Sequence, residues 1–239
     1  MSVSRGNLDR PALQDFYKQN AISRLIKPLK PSNLDFVEVQ GKKIQTVSNQ
    51  YGSGRCWLFA TTNMLRRDYI KEFNLESDFL LSNNYLMYWD KIERTNYWLE
   101  TMQLLVNGRT DTTSWNKLGK REGIEFEDYS PELRTYKYER LIQTFLKEGI
   151  QDGGQFAMSR TLVERYGIVP STVYPETVHS NSTREMNSLL SLILRNTYND
   201  MVNGKVGAIE EAKTSIKRLL DSLLGTIPTN VRTHKFTFS

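Results

Sequence analysis

Thiols and imidazoles are scarce in this chain. Its 239 residues include one cysteine, Cys56, and two histidines, His179 and His234. A single cysteine excludes an internal disulfide, and with it the small disulfide-stapled scaffolds. Any thiol chemistry therefore runs through Cys56. Two isolated histidines and one distant cysteine lack the spacing of a zinc site, so neither metal nor cofactor is expected. Long apolar runs are missing as well. Nothing approaches the roughly 20 residues that cross a bilayer, so no membrane partner is expected. The opening residues, MSVSRGNLDRPALQ, contain no apolar core of the secretory kind. Together with the lone cysteine this sets the expectation of a cytoplasmic protein in a reducing compartment.

A strong excess of one charge is also absent. The 32 Lys and Arg against 27 Asp and Glu leave a net charge of +5, and no dense basic run concentrates it. This reads as a solvated surface, with nucleic acid kept as a minor alternative partner. Hydrophobic residues make up 38% and charged residues 25%, a folded globular composition. The length suits one core, or one core with a helical insertion.

Apolar spacing predicts a helix over residues 8–30, ended by Pro28 and Pro31, then extended chain over 34–48. A glycine-broken turn over 50–55 leads into a helix over 56–73. There Trp57, Ala60 and Met64 form one apolar stripe and Leu58, Leu65 and Tyr69 another, which predicts more than one buried face. Ser82 is placed to cap a second long helix over 82–106. Residues 107–131 show no clear period and read as a long loop or inserted surface segment. A helix over 132–148 follows. Asp152-Gly153-Gly154-Gln155 breaks it and opens another, with Gly167 as its C-cap. Val169 to Pro175 reads as extended. Residues 182–224 read as two helices parted at Asn203-Gly204, before a short tail.

The segment from Gln50 to Trp57 carries the chemistry. A thiol hydrolase attacks with the thiolate, and a helix N-terminus favours that anion with partial positive charge and free N–H groups. Cys56 sits where the glycine turn becomes a helix. The tetrahedral oxyanion needs donors. The Cys56 N–H can be one. The Gln50 side-chain amide, six residues upstream, can be the other, with Gly52 and Gly54 letting the backbone fold back over the thiol. Taken singly, a lone cysteine is usually a small buried hydrophobe, a Gly-Gly pair is usually a turn, and Arg55 reads as a solvated charge.

The pattern Q-x-x-S-G-R-C-W, made here by Gln50, Ser53, Gly54, Arg55, Cys56 and Trp57, resembles the active-site signature of the bleomycin hydrolases and bacterial C-type aminopeptidases, which are papain-like cysteine peptidases. LLSNNYLMYWDKIERTNYWLE, DGGQFAMSRTLVERYGIVPSTVYPET, LLGTIPTN and KFTFS are similar to later segments of the same family, in the same order. The resemblance covers roughly residues 35–106 and 139–239, leaving about 107–138 as an insertion of this chain's own. It implies an α+β papain-like fold, here mainly the helical nucleophile-bearing half plus a helical insertion. The implied parts are a lead-in over 1–48, the nucleophile half over 49–180, and an inserted helical region with a truncated tail over 181–239. It also implies Cys56 as nucleophile, Gln50 as oxyanion donor, and Gly153 and Gly154 as the backbone lining the substrate cleft. Trp57 is expected to pack against the base of its helix.

A cysteine peptidase also needs a histidine to move the proton and an amide or carboxylate to orient it. His179 lies 123 residues after Cys56 in a Pro-, Ser- and Asn-rich stretch that reads as a loop, and His234 lies in the tail. Neither fits the family's downstream H-A-M-type strand, and no N-S-W-type turn follows. The expectation is a truncated chain that lacks the second, sheet-rich half together with the catalytic His and Asn. The resemblance then implies a cysteine aminopeptidase acting on peptide substrates, in hexameric assemblies when whole. The alternative from another class is a catalytically inactive helical module that binds peptide, nucleic acid or an intact homologue.

Overall fold

The computed structural model describes residues 38–39, 42–43, 48–108, 112–123 and 130–228. The chain divides into two units, Met1–Ile44 and Gln45–Ser239. In the first, β1 (Glu38–Val39) pairs antiparallel with β2 (Lys42–Lys43), with Glu38 opposite Lys43 and Val39 opposite Lys42. The helix expected over 8–30 lies outside the described residues, as does most of the extended stretch over 34–48.

The second unit is helical: α1 (Cys56–Phe73), α2 (Asn83–Asn107), α3 (Thr112–Glu122), α4 (Pro131–Glu148), α5 (Phe156–Tyr166), α6 (Val178–Asn181), α7 (Arg184–Val202) and α8 (Ala208–Leu224). Helix α2 is the central rod and packs against α1, α3, α4, α5, α7 and α8. Its sequence explains why. Tyr85, Leu86, Met87, Tyr88, Trp98, Leu99, Met102 and Leu105 are all buried and point around most of its circumference, so neighbours must cover it on several sides. Helices α7 and α8 bring single stripes, Met186, Leu190 and Leu194 on one and Ala212, Ile216, Leu220 and Leu224 on the other, into the same core.

Several ends follow local chemistry. The Ser82 Oγ accepts from the Tyr85 N–H at 3.0 Å, the expected cap, and donates to the Tyr174 carbonyl at 2.5 Å. Gly167 closes α5 at φ +77° with its N–H on the Val163 carbonyl, and the break between α7 and α8 falls at Asn203-Gly204. Substituting Ser82→Ala removes the cap and orphans a buried carbonyl. An expected loss of about 1–2 kcal/mol, read from the urea midpoint, would follow.

Three expectations need correction. Residues 112–122 are helical rather than loop. Among their described side chains Leu118 alone enters the core, while Arg121 stacks 4.6 Å over the Tyr97 ring and Glu122 accepts from the Tyr97 hydroxyl, so no apolar period marks the helix. Val169–Pro175 is not extended throughout: Pro170 bridges Leu81, and the chain turns over 171–173. The stripe Trp57, Ala60, Met64 is not a buried face of α1, because Ala60 is exposed and Met64 is 45% exposed. The face that packs carries Leu58 and Ile70 together with Thr61, Thr62 and Arg66.

Candidate active site

Cys56 is the first residue of α1 and is exposed. The Arg55 carbonyl accepts from the Leu58 and Phe59 N–H groups at 2.9 and 3.0 Å, which starts the helix. Among the described residues no group accepts from the Cys56 or Trp57 N–H. Free donors therefore flank the thiol, as a developing oxyanion requires.

The loop before Cys56 is held from three directions. The Gly52 N–H donates to the Asn181 carbonyl at 2.9 Å, inside a short parallel bridge to Ser182. The Gly54 N–H donates to Asp152 Oδ2 at 3.1 Å. Arg55 is 1% exposed rather than solvated, donating to Ser53 Oγ and, at 2.8 Å, to Glu176 Oε2, which also accepts from Ser180. Burial without that carboxylate would be strongly unfavourable for a guanidinium.

The glycines act differently from the expectation that they supply the bend. Tyr51, at φ +49°, takes the left-handed conformation, with its N–H on Asn49 Oδ1 at 2.8 Å. Gly52 and Gly54 serve close approach instead. A Cβ on Gly54 would lie 2.8 Å from the Asp152 Cβ, and one on Gly52 would lie 3.4 Å from the Asn181 carbonyl.

Gln50 is half-buried, its carbonyl accepts from Ser53 Oγ at 2.6 Å, and its side-chain Oε1 is buried with no donor among the described residues. Trp57 packs at the helix base as expected. Its Nε1–H donates to the Asp152 carbonyl at 2.9 Å, and its ring lies against Gly154, where an added Cβ would come within 2.5 Å. Gly153 opens onto free space, and its carbonyl accepts from Arg94 at 2.5 Å. The turn 152–154 is thus fastened to α1 and α2 and carries one carbonyl already engaged.

Asp152 and its partners escaped the sequence reading. Asp152 had registered only as a helix breaker, yet its Oδ1 accepts from Lys91 at 2.5 Å and Asn187 at 2.7 Å, and its Oδ2 from Gly54 and Thr183. Burial pushes its carboxyl up, but the Lys91 ammonium and the hydrogen bonds from Lys91, Thr183 and Asn187 prevail and hold it well below the usual carboxylate range. Burial pulls the Lys91 ammonium down while Asp152 and Asp90 pull it up. The carboxylate's direction governs, because three donors besides Lys91 stabilise the anion. The sequence offers only a weak signal: Lys91 follows Met87 and Tyr88 at helical spacing, but Arg94 and Thr95 continue the same face, so nothing marks the lysine as buried.

The two histidines are not brought to the thiol. His179 lies on the short helix α6 rather than in a loop, and no described hydrogen bond or ion pair joins it to Cys56. His234 lies outside the described residues. A cavity of about 640 Å³ between α2, α4 and α5 and another of about 270 Å³ beside Tyr51 and Phe59 both leave Cys56 out of their walls. Among the described residues no cluster of three His, Cys, Asp or Glu could hold a metal, and no helix is long and apolar enough to cross a membrane.

Comparison with known proteins agrees with this geometry. The model of the Peptidase C1-like family matches residues 24–114 and 131–236, a wider span than the motifs alone suggested. Aminopeptidase C of Streptococcus thermophilus is 39% identical over 149 residues, covering 62% of this chain and 27% of that protein. Aminopeptidase C of Lactococcus lactis is 35% identical over 190 residues, covering 77% and 37%. Bleomycin hydrolase of Rattus norvegicus is 32% identical over 202 residues, covering 81% and 39%. A crystal structure of PepW from Lactobacillus rhamnosis superposes with a TM-score of 0.58 at 28% identity, over 94% of this chain and 50% of that one. The chain thus spans about a quarter to two fifths of these curated relatives. With matches over most of its length to family model, relatives and solved structure alike, the chain belongs to the Peptidase C1-like family.

Proposed function

We propose that this chain carries the thiol side of a cysteine aminopeptidase active site, with the proton-accepting histidine and its orienting asparagine supplied by sequence outside these 239 residues. The observation that carries it is Cys56 itself, exposed on the first turn of α1 with free N–H groups beside it. The Cys56 sulfur attacks the scissile carbonyl. The Cys56 N–H and the Gln50 amide stabilise the oxyanion. The imidazole from outside the chain protonates the leaving amine, and water then releases the acyl group from sulfur. Gly153 and Gly154 provide the flat backbone along which a peptide lies. Two relatives named aminopeptidase C support removal of residues from peptide N-termini.

The test is hydrolysis of aminoacyl-coumarin amides by this chain alone and mixed with the C-terminal remainder of Streptococcus thermophilus aminopeptidase C. Turnover is expected only in the mixture. It should vanish with Cys56→Ser and fall about 10²–10³-fold with Gln50→Ala. Turnover by the chain alone would show that the base lies within it. Turnover that survives Cys56→Ser would remove the thiol from the mechanism.

A further inference from the structure

We propose that Asp152 is a positioning residue for the thiol site: its carboxylate fixes the loop from Gln50 to Cys56 so that the Cys56 N–H and the Gln50 amide converge on one oxyanion position. The inference rests on the reading of Cys56 and Gln50 just given and adds the group that holds them.

A carboxylate offers about four lone-pair sites. In Asp152 all are taken, by Lys91 and Asn187 on Oδ1 and by Gly54 and Thr183 on Oδ2. No lone pair is left to accept a substrate proton, which excludes Asp152 as a base and leaves it a structural anion. Its four donors come from three separate places: the loop before Cys56, the interior of α2, and the start of α7. Its own carbonyl accepts from Trp57, the residue after the thiol. One aspartate therefore grips the chain on both sides of Cys56, at Gly54 through the carboxylate and at Trp57 through the backbone.

The loop needs such a grip. Tyr51 sits in the left-handed region, a conformation that a side chain of this size keeps only where the surroundings enforce it. Among the described residues no donor meets the Gln50 Oε1, so none of them fixes that amide through its oxygen. Release of Gly54 would let the turn relax and would move that amide and the Cys56 N–H apart.

The test separates oxyanion binding from thiol reactivity. A dipeptide aldehyde, leucyl-leucinal, adds to Cys56: a sulfur–carbon bond forms, the carbonyl π pair moves to oxygen, and that oxygen takes up the thiol's proton. The hemithioacetal uses the oxyanion donors, whereas alkylation by iodoacetamide does not. Asp152→Asn is expected to weaken aldehyde binding at least tenfold while changing the iodoacetamide rate less than twofold. Asp152→Glu keeps a charge for Lys91 but displaces the carboxylate by one methylene, so it should not rescue. Amide exchange at Gly54 should rise at least tenfold in both variants while Leu86 and Leu99 stay protected. Aldehyde affinity that either variant retains, or unchanged exchange at Gly54, would overturn the proposal. If the unsubstituted chain binds the aldehyde no better than its unfolded form, the reading of Cys56 and Gln50 fails on its own, and Gly54 exchange then decides whether Asp152 fixes the loop. Should the Asp152 variants not fold, Gly54→Ala forces the same partners apart from the loop side and must produce the same loss.

Discussion

Lys91→Met is expected to lower the stability of the chain by about 3–5 kcal/mol at neutral pH, the range for removing one partner of a buried ion pair. The Lys91 side chain is fully buried and the Asp152 side chain 13% exposed, so water can replace little of what is lost. Methionine fills most of the volume and isolates the electrostatic loss from a cavity effect. The sign with pH is defined. Asp152 titrates below its ordinary value in the fold, so its ionisation stabilises the protein above about pH 4, the unfolded carboxyl value, and that contribution fades as pH falls towards the folded value. The deficit of Lys91→Met should therefore be largest above about pH 5 and shrink on acidification, since a protonated Asp152 needs no cation. Urea midpoints from about pH 7 down to about pH 2 measure it, a series that reaches below the unfolded carboxyl value. A deficit that stays constant with pH would assign the loss to packing and remove the ion pair from its cause.

Gly154→Ala is expected to cost about 2–5 kcal/mol, from overpacking and from the loss of the Trp57 hydrogen bond to Asp152. The new Cβ would lie 2.5–2.8 Å from three atoms of the Trp57 ring, which is itself 7% exposed and enclosed. The ring has to leave, and its Nε1–H then loses the Asp152 carbonyl. Because Trp57 follows Cys56 directly, the same shift displaces the thiol. A misplacement of about 1 Å costs on the order of 10² in rate, so turnover in the complemented system should fall by about that factor. Indole fluorescence and the urea midpoint report the first effect and coumarin release the second. Gly153→Ala is the control for stability alone, because its Cβ meets no protein atom within 4 Å. Equal losses of stability at the two glycines would show that the ring contact is not the reason for glycine at 154.

The long elements were legible because their ends are written in local chemistry. The glycine turn before Cys56, Ser82 before α2, Gly167 after α5 and Asn203-Gly204 between α7 and α8 all mark boundaries that the structure keeps. The faces were less legible. Apolar spacing cannot register a packed face built from Thr61, Thr62 and Arg66. Their partners lie off the helix that carries them: Ser159 and Asn83 on α5 and α2, and the Ser77 carbonyl in the turn after α1. Arg55 and Asp152 were underestimated for the same reason: a charge looks solvated until its partner 121 or 61 residues away is known. The place of Cys56 at the start of α1 was readable from its motif. The polar contacts that hold the loop before it were not, since they consist of single polar residues with no repeat to betray them.

The contacts that shape the thiol loop also set a time for its assembly. Gly54 waits for Asp152, Gly52 for Asn181, Arg55 for Glu176, and Asp152 in turn for Asn187. A ribosome adding roughly 5–20 residues per second needs on the order of 10 s to travel from Cys56 to Asn187. During that interval α1 can already have formed, since helices close locally and fast. The loop from Gln50 to Arg55 still lacks its distant partners. Cys56 therefore spends the early life of each chain as an exposed thiol among other nascent chains, on a loop whose full set of contacts closes only when α7 arrives.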